Sequence, residues 1–244
     1  MLRAALRFVW GLYALALFAA LLFLAVLAAI LLPTVTTRRD ASRGLARLFF
    51  TLSGIAWDVR GLGRLPDQPA VVVANHASYV DGPLLYAALP SRFGFVIKKE
   101  VASVPLAGSL LRRLGHEFVD RHNKAESAKD ARRILKTAAS GTSLVFFPEG
   151  TFSAPAGLAR FHSGAFVTAT RAGMPVVPVV IHGARNLLPA HAWLPRRGSL
   201  VVEILDPLPP PPAPEGAAAV ARLRLDARRA ILARLGEPDL APGV

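Results

Sequence analysis

A histidine and an aspartate stand five residues apart, at His76 and Asp81, directly after an apolar run that predicts a buried strand. A helix is predicted to begin near Gly82, so the pair lies in a loop at the carboxyl end of a strand, where open α/β sheets bind ligands. A carboxylate bonded to one imidazole nitrogen raises the basicity of the other, which suits removal of a proton from an alcohol. Taken alone, such a pair could equally be structural.

A second predicted strand runs into the loop Phe147–Thr151. Pro148 fixes the backbone there, and Gly150 permits the close approach of a ligand. A buried carboxylate at Glu149 would be costly unless it accepts hydrogen bonds, so we expect N–H donors around it. The alternative is a structural turn that Glu149 caps.

Basic residues follow two other predicted strands. Arg121 ends the stretch GHEFVDR, in which Phe118 should point to the core, and its guanidinium could bind a phosphate with two hydrogen bonds. The alternative for Arg121 is a surface ion pair with Asp120. A similar basic point ends another strand and consists of two adjacent lysines, Lys98 and Lys99.

The composition limits the class of protein. The chain has 244 residues, 53% of them hydrophobic, with a net charge of +13 and no cysteine. The absence of cysteine excludes disulfides, thiol nucleophiles and cysteine metal sites. The positive charge indicates anionic partners, such as lipid headgroups or an acidic carrier protein. Nucleic acid is not expected, because no known nucleic-acid-binding motif accompanies the charge.

The stretch Phe8–Leu32 contains no charged residue. As a helix it would be about 37 Å long, which exceeds the bilayer core of about 30 Å. It is longer than the apolar part of a signal peptide and ends at Pro33 without a clear cleavage site, so we predict an uncleaved membrane anchor. A helix that re-enters or lies obliquely fits the same composition. The flanking arginines are more numerous on the downstream side, at Arg38, Arg39, Arg43 and Arg47, which predicts a catalytic domain facing the cytoplasm from the cytoplasmic membrane.

The rest of the chain alternates apolar runs with helical patterns, which predicts an α/β sheet covered by helices on both sides. Residues 38–55 predict an amphipathic helix, either on the membrane surface or covering the core. We therefore divide the chain into an anchor with this helix at 1–60, a catalytic domain at 61–206, and a proline-rich connector with a C-terminal helix at 207–244.

Between about residues 71 and 181 the chain resembles the glycerolipid acyltransferase family of 1-acyl-glycerol-3-phosphate acyltransferases. The family's N-H-x-x-x-x-D block is matched by Asn75, His76 and Asp81. Its G-x-x-F-x-x-R block is matched by Gly115, Phe118 and Arg121. Its F-P-E-G-T-R-S block is matched by Phe147–Thr151 and Ser153, and its apolar block with proline by Val176–Ile181. Four blocks in the family's order and spacing are highly specific.

The resemblance implies a mixed, largely parallel sheet and a direct transfer of an acyl group from acyl-CoA or acyl-carrier protein to the hydroxyl of lysophosphatidate. His76 would remove the hydroxyl proton, and Asp81 would orient the imidazole. The sequence agrees, because it offers neither cysteine nor a G-x-S-x-G elbow as a covalent nucleophile. No metal or cofactor is expected. The expected substrate-binding residues are Asn75, Lys98, Lys99, Gly115, Phe118, Arg121, Glu149, Gly150, Thr151 and Arg160.

Two departures from the family concern the acceptor. Phe152 stands where relatives usually carry an arginine that helps to bind the acceptor's phosphate, and His162 stands where they often have lysine. Arg160 could supply the missing charge. Phe152 keeps open the alternative of an acyltransferase for another lysolipid, such as lyso-ornithine lipid. A lipid-ester hydrolase, which would need a nucleophile or a positioned water, is a separate alternative.

Overall fold

The computed structural model describes residues 1–120, 123–152, 155–210 and 216–242. Its strands are β1 Ala56–Arg60, β2 Val71–Ala74, β3 Phe93–Lys98, β4 Glu117–Val119, β5 Ser143–Phe146, β6 Val176–His182 and β7 Ser199–Ile204. Its α-helices are α1 Leu2–Leu31, α2 Val35–Ser53, α3 Asp81–Ala88, α4 Ala107–Arg113, α5 Lys124–Ala139, α6 Gly164–Ala172, α7 Ala184–Leu187 and α8 Gly216–Leu235.

The strands form one sheet in the order β1-β7-β6-β2-β5-β3-β4. Neighbouring strands are parallel except β6 and β7, which are antiparallel. The central strand β2 is buried along its whole length, and its residues are Val and Ala, as expected for a parallel strand covered on both faces. The predicted mixed, largely parallel sheet is therefore confirmed.

Apolar cores lie on both faces of the sheet. One core joins α1, α2 and α3 to the sheet and includes Phe50, Leu84 and Phe93. The other joins α5, α6 and α8 to the opposite face and includes Phe166 and Ile231. Because parallel strands place their carboxyl ends at one edge, the loops after β2 and β5 meet between these layers, and they carry His76 and Glu149.

Helices α1 and α2 form an antiparallel hairpin, here named the helical cover. Trp10 Nε1 donates a hydrogen bond to the Ser53 carbonyl, and the Tyr13 hydroxyl donates one to the Leu52 carbonyl. Within the described residues, Ala4–Leu31 is the one helix that is long and apolar enough to cross a membrane. One face of it, with Ala25 and Ala29, is buried against the protein, whereas the other face carries exposed large apolar side chains.

The arginines of α2 bind the catalytic part of the chain. Four of them donate hydrogen bonds to backbone carbonyls of that part: Arg38, Arg39, Arg43 and Arg47. Arg39 is buried and donates to the carbonyls of Leu114 and Gly115 at 2.8 and 3.1 Å. Two others reach carbonyls in the last turn of α3, which have no partner within that helix. Of the two readings of residues 38–55, the structure therefore supports the core-covering helix.

The segment before residue 61 also contributes to the sheet. β1 is an edge strand, parallel to β7, and it lies within the range that the sequence assigned to the anchor. At the other end, Leu208 in the proline-rich connector exchanges backbone hydrogen bonds with Val176, while residues 211–215 of the connector lie outside the described residues. The domain boundaries remain predictions.

Candidate active site

The loop after β2, residues 75–81, is here named the His–Asp loop. His76 Nδ1 lies 2.8 Å from Asp81 Oδ2, and the Asp81 side chain is fully buried. The same oxygen accepts the backbone N–H groups of Ala77 at 2.7 Å and Ser78 at 2.8 Å. Because Nδ1 faces a carboxylate, we assign its proton to that nitrogen, which leaves a lone pair on Nε2. The pair thus has the arrangement of a general base.

Local sequence explains why the loop closes in this way. Asp81 is the first residue of α3, where the helix dipole stabilises a negative charge. Asn75 follows β2, and its side-chain amide exchanges two hydrogen bonds with the backbone of Ile181 in β6, at 2.7 and 3.1 Å. Both polar ends of the Asn75 amide are therefore bonded to protein, so the observed contacts position the loop. Substrate binding by Asn75 remains a prediction.

Glu149 belongs to the loop after β5, residues 147–151, here named the Glu149 loop. Its carboxylate is buried and accepts the His76 N–H through Oε1 at 2.7 Å and the Ala159 N–H through Oε2 at 2.8 Å. Burial raises the pKa of the Glu149 carboxyl, and these two backbone hydrogen bonds oppose that shift. The expectation that N–H donors surround this carboxylate is confirmed. Gly150 has φ +82°, a conformation that favours glycine.

Aromatic rings surround the imidazole. Phe147 stacks on His76 with 4.2 Å between ring centroids, and Phe152 meets it edge-on at 4.7 Å. Tyr79, which is largely exposed, contacts Phe152 edge-on at 4.7 Å. Tyr79 was not among the site residues predicted from the sequence, although its place inside the N-H-x-x-x-x-D block was a signal that could have identified it. Phe152, at the position where arginine was expected, therefore lies directly against the proposed base.

A cavity of about 350 Å³ opens beside His76. Its walls are mainly apolar and come from the helical cover, from α4 and from β3. The side chains that α1 contributes are Phe18, Leu21, Leu22 and Ala25. Such a cavity is suited to an apolar chain whose reactive end lies at the imidazole.

His116 lines the same cavity, but its contacts are those of a histidine that stabilises the fold. Its Nδ1 accepts the Phe95 N–H at 3.2 Å, and its side chain packs edge-on against Tyr86. Burial, with a smaller contribution from the charge of Arg39, lowers the pKa of His116 to about 3. The imidazole is therefore neutral at physiological pH.

The remaining predicted site residues differ in whether they line the cavity beside His76. Lys98 lines the cavity and pairs with Glu100 at 3.5 Å, whereas Lys99 pairs with Asp120 at 3.1 Å. Gly115 has φ +66° just after α4, so a backbone requirement explains this glycine.

Phe118 is half-buried in the edge strand β4. Thr151 and Arg160 are exposed, and Arg160 lies between Ala159 and His162, both of which are hydrogen-bonded to the Glu149 loop. Arg121 lies outside the described residues, as does Ser153. The binding roles of all these residues remain predictions.

Comparison with known proteins agrees with this geometry. A family model described as Acyltransferase matches residues 56–182. A lyso-ornithine lipid O-acyltransferase from Pseudomonas aeruginosa is 34% identical over 182 residues, which cover 68% of each chain. A 1-acyl-sn-glycerol-3-phosphate acyltransferase from Haemophilus influenzae is 32% identical over 57% of this chain and 58% of that protein.

Other relatives are longer than this chain. A Chlamydomonas reinhardtii 1-acyl-sn-glycerol-3-phosphate acyltransferase is 34% identical over 59% of this chain but only 44% of its own length.

The crystal structure of the 1-acyl-sn-glycerophosphate acyltransferase from Thermotoga maritima shares the fold, with a TM-score of 0.77, 22% identity, and coverage of 94% of this chain and 96% of that one. Because the family model matches more than half of the residues of this chain, and because the His–Asp pair is assembled, the chain belongs to the acyltransferase family.

Proposed function

We propose that this protein transfers a fatty acyl group from acyl-CoA or acyl-carrier protein to the free hydroxyl of lysophosphatidate, making phosphatidate for phospholipid biosynthesis. The observation that carries the proposal is the 2.8 Å contact between His76 Nδ1 and Asp81, beside an apolar cavity. The names of several relatives, which are 1-acyl-sn-glycerol-3-phosphate acyltransferases, support this acceptor.

The proposed reaction needs no covalent enzyme intermediate. His76 Nε2 removes the proton from the acceptor hydroxyl while the oxygen attacks the thioester carbonyl carbon. Asp81 stabilises the imidazolium that forms. When the carbon–sulfur bond breaks, the thiolate leaves and takes the proton from the imidazolium, which restores the base. The scheme uses no metal or cofactor, and that expectation remains a prediction.

Stabilisation of the tetrahedral oxyanion requires donors that are not already bonded. Three consecutive N–H groups of the His–Asp loop are bonded to carboxylates: His76, Ala77 and Ser78. The Gly150 N–H is bonded to the Phe147 carbonyl. In this conformation the oxyanion donors must therefore come from other groups.

The cavity and the helical cover support a lipid substrate. The apolar walls fit the donor's acyl chain, and the exposed apolar face of α1 fits a bilayer that supplies the acceptor and receives the product. Membrane association follows from these features, and we propose the cytoplasmic face of the cytoplasmic membrane as the side on which the catalytic part lies.

A second acceptor is supported by one observation. The observation is that Phe152 packs on His76, at the position where the family's third block has an arginine. It agrees with the name of one relative, a lyso-ornithine lipid O-acyltransferase, which matches this chain over 68% of its own length. An acceptor without a phosphate would fit this aromatic surface. A hydrolase would use water in place of the acceptor hydroxyl.

The test uses the purified full chain in detergent micelles. It receives an equimolar mixture of lysophosphatidate and lyso-ornithine lipid with either acyl-CoA or acyl-carrier protein, and products are measured by mass spectrometry. We expect phosphatidate from the wild type and none from His76→Ala. A predominant acylated ornithine lipid would establish the second acceptor. Free fatty acid as the main product, or equal activity of His76→Ala, would contradict the proposal.

A further inference from the structure

A buried arginine in α8 contacts the chain next to the site. Arg228 lies in the buried stripe of α8, and 7% of its side chain is exposed. Its Nε donates to the Ala159 carbonyl at 3.1 Å, and its Nη2 donates to the Leu158 carbonyl at 2.9 Å. The guanidinium also forms a two-point contact with the carboxylate of Asp239. Its planar donors thus bind two neighbouring carbonyls and one carboxylate together.

The segment 157–159 is held by the C-terminal residues as well. The Leu158 N–H donates to the Pro238 carbonyl at 2.9 Å, and the Leu240 N–H donates to the Leu158 carbonyl at 3.1 Å. The Gly157 N–H donates to Glu237 Oε2 at 2.7 Å. Segment 157–159 is therefore fixed from both α8 and the residues that follow it.

The same segment leads directly to the proposed base. The Ala159 carbonyl accepts from Arg228, and the Ala159 N–H donates to Glu149 Oε2 at 2.8 Å. The other oxygen of Glu149 accepts the His76 N–H at 2.7 Å. Each group in this series binds the next through an N–H or carboxylate contact. The position of the His76 backbone is thereby coupled to that of Arg228.

Packing alone does not explain a charge at residue 228. The neighbouring buried positions of α8, Ala227 and Ile231, are apolar and belong to the core that joins this helix to the sheet. A buried guanidinium costs desolvation, so its presence indicates a task that an apolar side chain would not perform. That task is to bind the carbonyls of segment 157–159.

We propose that Arg228, together with Asp239, is a positioning residue that holds segment 157–159 so that Glu149 keeps His76 in its reactive place. This inference rests on the proposed function for its catalytic consequence. Arg228 and Asp239 lie beyond residue 182, where the family match ends. In this proposal, α8 takes part in positioning the catalytic histidine.

The first test separates turnover from binding. Arg228→Met should lower kcat about 10- to 100-fold, because a displacement of the order of 1 Å costs that much, while KM stays within about threefold. Arg228→Lys should recover part of the loss. Arg229→Met is the matched control, since Arg229 is 76% exposed and should leave kcat unchanged. If Arg228→Met changes only KM, or changes neither kcat nor KM, the proposal is overturned.

A double-mutant cycle identifies the route of the coupling. In a Glu149→Gln background, Arg228→Met should cost at least fivefold less in kcat than it does in the wild type, because the contact through which it acts is already weakened. Equal losses in both backgrounds would mean that Arg228 does not act through Glu149. If Arg228→Met fails to fold by circular dichroism, Asp239→Asn takes its place in the same cycle.

A measurement without substrate separates this inference from the proposed function. Diethyl pyrocarbonate modification of His76, followed by peptide mass spectrometry on the full chain, should be faster in Arg228→Met than in Arg229→Met. Equal rates would overturn the positioning role. A wild type that acylates no lysolipid would contradict the proposed function alone, and the modification rates would still decide the role of Arg228.

Discussion

The cavity has two walls of opposite character. The wall formed by the His–Asp loop and the Glu149 loop presents the His76 imidazole, and we name it the polar wall. Behind the imidazole, the Asp81 and Glu149 carboxylates are bonded to His76 Nδ1 and to backbone N–H groups at 2.7–2.8 Å. The wall formed by the helical cover is apolar and meets the same space with side chains such as Leu21 and Phe49. In the proposed function, the polar wall supplies the base for the reaction, whereas the apolar wall contacts the acyl chain of the donor. Substitutions in the two walls should therefore change different kinetic quantities.

The largest effect should come from removal of the base. We expect His76→Ala to reduce turnover more than about 10⁴-fold, because without Nε2 no group in the loop removes the hydroxyl proton. Folding should persist, since His76 lies in a loop and not in an apolar core. The measurement is thiol release from acyl-CoA in the presence of lysophosphatidate, on variants matched by circular dichroism. Retention of more than about a tenth of turnover, a loss below about 1.4 kcal/mol, would show that His76 is not the base.

The next effect tests the orientation of the base. Asp81→Asn should lower kcat by about 10³- to 10⁴-fold, comparable to the same change in a Ser-His-Asp triad. A neutral amide cannot stabilise the imidazolium as the carboxylate does, although its one oxygen could still accept the three hydrogen bonds that Asp81 Oδ2 accepts. Steady-state kinetics would measure the change, with thermal melting as the control for the loop. A loss under tenfold at unchanged stability would leave Asp81 with a purely structural role.

A smaller effect should follow from filling the apolar wall. Ala25→Leu places three more carbons on a residue that lines the cavity. We expect kcat/KM for long acyl donors to fall about tenfold relative to short ones, because a methylene of excess volume costs about 1–3 kcal/mol in a tight pocket. Ala20→Leu on the exposed face of α1 is the matched control. Identical chain-length profiles for the two variants would place the acyl chain elsewhere.

The smallest effect concerns the acceptor. Phe152→Arg should shift the preference between lysophosphatidate and lyso-ornithine lipid by about fivefold towards the phosphate, the size expected for a partly exposed ion pair. The competition assay described above measures the product ratio, with Phe152→Leu as the control for loss of the ring. An unchanged ratio in Phe152→Arg would indicate that another group already binds the acceptor's headgroup.

The polar wall could be predicted from the sequence because its contacts are short-range or carried by motifs. His76 and Asp81 are close along the chain, and apolar runs ending in polar residues reveal the strand ends that bear them. The alternation of strands and helices predicted for the catalytic domain is found in the structure for the same reason. Each depends on local periodicity, which a single sequence contains.

The contacts of the apolar wall and of α8 could not be predicted, because they join residues far apart in the chain. Arg39 reaches a carbonyl 76 residues away, and Arg228 reaches one 70 residues away. In the sequence such an arginine is indistinguishable from a surface charge, and those of α2 were interpreted as signals of membrane orientation. Strand β1 was missed because its alternating burial leaves no continuous apolar run. Whether such a residue is buried depends on the segment that packs against it, and that segment is known only once the fold is known.

The hydrogen bonds between residues 237–240 and segment 157–159 also bear on the order of events during synthesis. The ribosome makes α1 before the other described elements, so this apolar helix can meet the bilayer while they are still being made. Residues 237–240 emerge after every other element of the site. If Arg228 and its partners position His76, a nascent chain can reach the membrane before it reaches full activity, so most acyl transfer follows contact with the bilayer that holds the lipid acceptor.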